Sequence, residues 1–128
     1  MNMKLTCEID FNLENQDIDD IVCSALEGGI TYWCKRVEVV GKYRGKYASD
    51  QISRGGELIL YDVESDDKWT LNKAKFINGL LRYVKSDPTI IDFSNHLDCG
   101  NVIDACNVDG SIADEIIQYA LFGTIVFG

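Results

Sequence analysis

The sequence predicts an α+β fold in one domain spanning residues 1–128, a mainly antiparallel sheet with about three helices packed on it. Three observations carry that expectation. Apolar residues recur at helical spacing in three separate stretches. Runs rich in β-branched and aromatic residues alternate with turn signals at hairpin distances. The chain has 128 residues, 46% of them hydrophobic, and a single proline, which is the composition of a folded chain with one core.

Residues 4–11, KLTCEIDF, place Leu5, Cys7 and Ile9 on one face of an expected strand. A helix is then expected from Asp17, because Ile18, Ile21, Val22, Ala25 and Leu26 fall on one helical face. Asp17 supplies its cap, Asp19 and Asp20 suit its positive end, and Gly28-Gly29 stops it. Residues 30–40, ITYWCKRVEVV, and 57–64, ELILYDVE, read as strands. The sixteen residues between them are too polar and glycine-rich for a sheet interior, and a connection of that length in a compact domain is usually functional or mobile.

Ser65-Asp66-Asp67 signals a turn before a short strand at 68–71. Phe76, Ile77, Leu80, Leu81 and Val84 then line one face of a second helix bounded by Pro88. Residues 89–93 read as a strand and 94–109 mostly as loop. Ser111 to Asp114 resembles a capping box, and Ile112, Ile116, Ala120 and Leu121 continue a third helix to Gly123. The closing TIVFG is expected to dock as a strand or pack on the core.

The formal net charge of −9 argues against nonspecific binding to nucleic acid or anionic membrane, since phosphate contacts need surplus cations. No apolar run is long enough to span a bilayer and the N-terminus lacks the core of a signal peptide, so a cytoplasmic protein is expected. Cys7, Cys23, Cys34, Cys99 and Cys106 are an odd set on apolar-patterned segments, which suits reduced, buried thiols. The charge is also segregated. Seven acids and no Lys or Arg lie between Glu8 and Glu27, and the same holds from Asp87 onward, while six of the twelve Lys and Arg fall between Lys35 and Arg54.

Catalytic signatures are not met. His96, Cys99 and Cys106 contain no CxxC pair, so zinc is not expected. In DACNVDGSIADE, with Gly110 at the glycine position of a calcium loop, Ala105 and Ile116 fall where acidic ligands belong, and Asp109-Gly110-Ser111 reads as a turn delivering a helix cap. Gly45-Lys46 is followed by Tyr47 rather than Ser or Thr, which excludes a P-loop. Adjacent acids such as Asp19-Asp20 and Asp66-Asp67 read as solvated.

The anomaly is GKYRGKYASDQISRGG, residues 41–56. Three readings of it stand side by side. It is a solvated hairpin loop, a site for a small anionic ligand, or a protein interface. For a ligand site, Arg44 and Arg54 would clamp phosphates and Lys42 and Lys46 would add charge. Tyr43, Tyr47 or Trp33 would stack on a base, and Asp50 with Gln51 would read ribose or base edges. For an interface, Tyr, Trp and Arg are the dominant hot-spot residues, and an acidic face could mimic nucleic acid on a partner.

At ALEGGITYWC (25–34), YASDQISRGGEL (47–58) and ADEIIQYALFGTIVFG (113–128) the chain resembles small accessory proteins of phages, prophages and conjugative elements of gut Firmicutes. The resemblance covers most of the chain and contributes no site residues. It implies a bacterial host cell and a counter-defence context. Residues and resemblance together lead us to expect a homo-oligomeric protein without enzymatic chemistry or cofactor that sequesters a small anionic nucleotide-derived immune signal. The alternative is a direct inhibitor of a host defence complex, for example an anti-CRISPR.

Overall fold

The computed structural model describes residues 2–93, 100–104 and 107–128, and bears out the α+β class. Helix α1 spans Asn15–Ser24 and passes directly into one π-helical turn, Ala25–Gly29, closed by the Ile30 N–H donating to the Ala25 carbonyl at 3.0 Å. Strand β1 is Cys34–Val39, β2 is Leu58–Asp62 and β3 is Lys68–Leu71. Helix α2 runs Lys73–Ser86, the two-residue strands β4 and β5 are Ile91–Asp92 and Val102–Ile103, and helix α3 is Gly110–Phe122.

The strands form two antiparallel sheets instead of one, ordered β1-β2-β3 and β4-β5. In the larger sheet Val37 faces Leu60 and Val39 faces Leu58, while Leu58 faces Leu71 and Leu60 faces Trp69 across β2 and β3. Alternation therefore sends Leu58, Leu60 and Leu71 into one core with Phe76 and Leu80 of α2 and Ile116 of α3. The two helices touch where Gly79 lies, since a Cβ there would stand 2.6 Å from the Ala120 nitrogen. Only glycine allows that approach without moving a helix.

Several expectations are corrected. Residues 4–11 form no strand among the described residues. Leu5 is 82% exposed, Cys7 is exposed as well, and the chain joins the fold at Asn12, which bridges Val102 in parallel. Alternation makes a strand only where a ladder receives it. Helix α1 starts two residues before Asp17: Glu14 precedes the first turn and its N–H donates to Asp17 Oδ2 at 2.9 Å. The strand expected over 30–40 begins only at Cys34, because Ile30–Trp33 turn out of the π-helical segment. Asp109, not Ser111, caps α3, accepting from the Ile112 N–H at 2.9 Å, while Gly123 ends that helix in the left-handed conformation. The tail packs on the core through Phe127 and forms no strand.

Candidate functional site

The segment 41–56 hangs from the β1–β2 hairpin, its base closed by the Val40 N–H donating to the Glu57 carbonyl at 3.1 Å. Its interior is built by two polar side chains. Asp50, ending the short 3-10 turn Ala48–Asp50, accepts through Oδ2 from the N–H groups of Lys46 (3.2 Å) and Tyr47 (3.0 Å). Gln51, 1% exposed, accepts from the Arg44 N–H at 2.6 Å and donates to the Tyr47 carbonyl at 2.7 Å. Its own carbonyl accepts from the N–H groups of Arg54 (3.2 Å) and Gly56 (2.8 Å).

The loop is anchored to the body as well. Ile52 is fully buried, Ser53 Oγ donates to Asp19 Oδ1 of α1 at 2.6 Å, and Lys73 of α2 donates to the Ser53 carbonyl at 3.2 Å. Gly45 has a positive φ of 105°, and a Cβ there would collide with the Arg54 guanidinium, which reaches the Arg44 carbonyl at 3.4 Å. Arg44 crosses the loop in turn, its Cδ 3.3 Å from where a Cβ on Gly56 would be. The glycines thus let the two arginines lie across the loop backbone.

What this scaffold presents is cationic and aromatic. Among the described residues the one ion pair is Arg36–Glu38, at 3.2 Å, so Lys42, Arg44, Lys46 and Arg54 have no carboxylate within ion-pair distance. Tyr43 is 59% and Tyr47 58% exposed, and the Lys46 ammonium stands 5.2 Å from the centre of the Tyr47 ring. Lys42, Tyr43, Arg44, Lys46, Tyr47 and Arg54 are therefore gathered on one braced loop. Asp50 and Gln51 are spent on building it.

Trp33 does not join them. It is 1% exposed, stacked on Phe127 at 5.1 Å with an interplanar angle of 6°, and flanked edge-on by Trp69 and Phe122. Its Nε1 donates to Asp114 Oδ1 at 2.7 Å. Asp114 also accepts from Tyr32 Oη at 2.6 Å and Gln118 Nε2 at 2.9 Å, and Gln118 Oε1 accepts from the Val126 and Phe127 N–H groups, both at 2.8 Å. Burial first, and the Asp114 carboxylate second, push the Tyr32 hydroxyl up to about 12. A cleft of about 670 Å³ opens beside this network, between the start of α3 and the tail. Among the described residues no buried side-chain nitrogen or oxygen lacks a partner, so the network is satisfied within the fold. Nothing in the local pattern around Trp33 signals it, because Asp114 and Phe127 lie far along the chain.

Among the described residues no group of three or more His, Cys, Asp or Glu is placed to hold a metal ion. His96, Cys99 and Cys106 lie outside the described residues. Among the described residues, too, no helix is long and apolar enough to cross a membrane. Comparison with protein-family models, with curated proteins and with solved structures gives no match.

Proposed function

We propose that the protein is a binding protein whose loop 41–56 holds a small anionic, nucleotide-derived ligand without acting on it chemically. One observation carries the reading: four cations with no carboxylate partner among the described residues share a loop braced from within with two exposed tyrosines. An exposed ion pair is worth only about 0 to 1 kcal/mol, so leaving these cations unpaired costs the fold little and keeps them open to an anion. Arginine forks and tyrosine faces match phosphate oxygens and a base. In the mobile-element context suggested by the resemblance, the role would be sequestration of an immune signal in the bacterial cytoplasm. Two loops in a homo-oligomer would enclose such a ligand more fully than one.

The test is thermal unfolding of the purified protein against cyclic di- and trinucleotides, ADP-ribose derivatives and NAD. A ligand at about 100 times its dissociation constant adds about 2.7 kcal/mol to stability. A specific hit supports the reading, and no shift with any of them overturns it. Sedimentation that finds a monomer at all concentrations removes the oligomer.

Direct inhibition of a host defence protein is the second reading, favoured by the exposure of Tyr43 and Tyr47, which suits docking on a broad surface. Its nucleic-acid-mimic form gains less support, since Asp17 and Asp19 of α1 accept from the fold's own donors. Co-purification with a defence complex, lost on loop substitution, would favour it.

A further inference from the structure

A small notch opens between the end of α1 and the 3-10 turn of the loop, about 290 Å³ in volume and walled by Cys23, Leu26, Glu27, Tyr47, Ala48 and Ser49. Its walls are mostly apolar. Tyr47 forms one of them and carries the Lys46 ammonium 5.2 Å from its ring centre, so an apolar notch and a cation share one aromatic ring. The remaining cations of the loop carry no carboxylate partner on the same segment. The volume is at the lower end of ligand pockets, which run from about 300 Å³ upward, and is enough for one bicyclic base.

We infer that this notch is the base subsite of the loop, and that the base it takes is guanine, held with its plane on Tyr47 and its donor edge toward Glu27 while the phosphates lie on Lys46 and the arginines. This rests on the reading of the loop as an anion site. The choice of base follows from Glu27. An ionised carboxylate only accepts hydrogen bonds, through two adjacent oxygens. Guanine presents two adjacent donors, the ring N1–H and the exocyclic amino group. Adenine offers its amino group next to an acceptor, and uracil a single N–H between two carbonyls. The Ser49 hydroxyl and the Cys23 thiol complete the polar rim, and burial, with Glu27 beside it, raises the thiol's pKa and keeps it neutral.

The experiment titrates GDP, ADP and inorganic pyrophosphate into the full chain by calorimetry, with amide chemical shifts followed in parallel. GDP should bind about tenfold or more tightly than pyrophosphate, the scale of one stacked base, and ahead of ADP. Its shifts should reach Leu26, Glu27 and Ser49, and Glu27→Gln should bring GDP down to the affinity of ADP. Equal binding of all three, with shifts confined to residues 42–46 and 54, overturns the notch while leaving the anion-binding loop standing. Binding of none of the three overturns both.

Discussion

The C-terminal tail and the loop 41–56 are both irregular segments held by a buried glutamine, and they end in opposite places. Gln118 accepts from two successive tail N–H groups and draws Phe127 inward against Trp33. Gln51 accepts from the Arg44 N–H and donates to the Tyr47 carbonyl, which leaves the side chains of both residues outside. An amide side chain carries donor and acceptor together, so it satisfies a non-repeating backbone where no ladder can. The same device completes a core in one region and mounts a charged surface in the other. Bracing alone therefore does not mark a functional site. What the bracing displays does.

The sharpest way to break that comparison is to remove the acceptor beneath the tail. Asp114→Ala leaves Tyr32, Trp33 and Gln118 without their shared partner, and urea unfolding should show a loss of about 3 kcal/mol or more. A loss below about 1 kcal/mol, the scale of a single ordinary bond, would mean that Gln118 and Phe127 packing hold the tail without Asp114. Next in size, Gln51→Leu should cost about 2 kcal/mol and speed amide hydrogen exchange across residues 44–56. Unchanged exchange there would show that Ile52 and Ser53 suffice to hold the loop.

Alkaline titration separates the two regions by chemistry. Tyr32 ionises near 10 when unfolded and near 12 when folded, so the folded state keeps a proton that the unfolded state loses in that window. Stability should fall as pH rises from 10 to 12, and Tyr83, raised by burial and by Asp87, acts with the same sign. Tyr32→Phe should flatten the slope in a pH series of unfolding curves, and an unchanged slope would assign it elsewhere. The smallest effect on folding is expected of Arg44→Ala and Arg54→Ala, each within about 0.5 kcal/mol as for surface substitutions, with ligand binding lost. Unfolding midpoints with and without ligand would decide. A larger loss of stability would make the arginines part of the scaffold.

The periodic segments were legible in the sequence. Phe76, Leu80 and Val84 repeat at helical spacing and are buried in α2, and Leu58 and Leu60 alternate into the core as β2 requires. The cation cluster was equally plain, being a matter of composition. Trp33 is not legible locally, because its environment is made by Trp69 and by Asp114 and Phe127 still farther along the chain, which no local window contains. Asp50 and Gln51 look like ligand-reading groups by type, and only the folded loop shows them turned onto its own backbone. The exposed Leu5 illustrates the converse, a pattern with no partner to complete it.

The π-helical turn Ala25–Gly29 gives the chain something like a reading frame. A π-helical turn holds one residue more than an α-helical one, so removing a residue would let it close as an α-turn, whereas adding one would rotate all that follows by about 100° relative to α1. Trp33 would swing away from Asp114, and the hairpin would leave with it. Residues 64–66, the exposed tip of the turn between β2 and β3, set no such phase. Added residues should therefore be tolerated at 64–66 and excluded at 25–29, so that the spacing between α1 and Trp33 is counted by the fold.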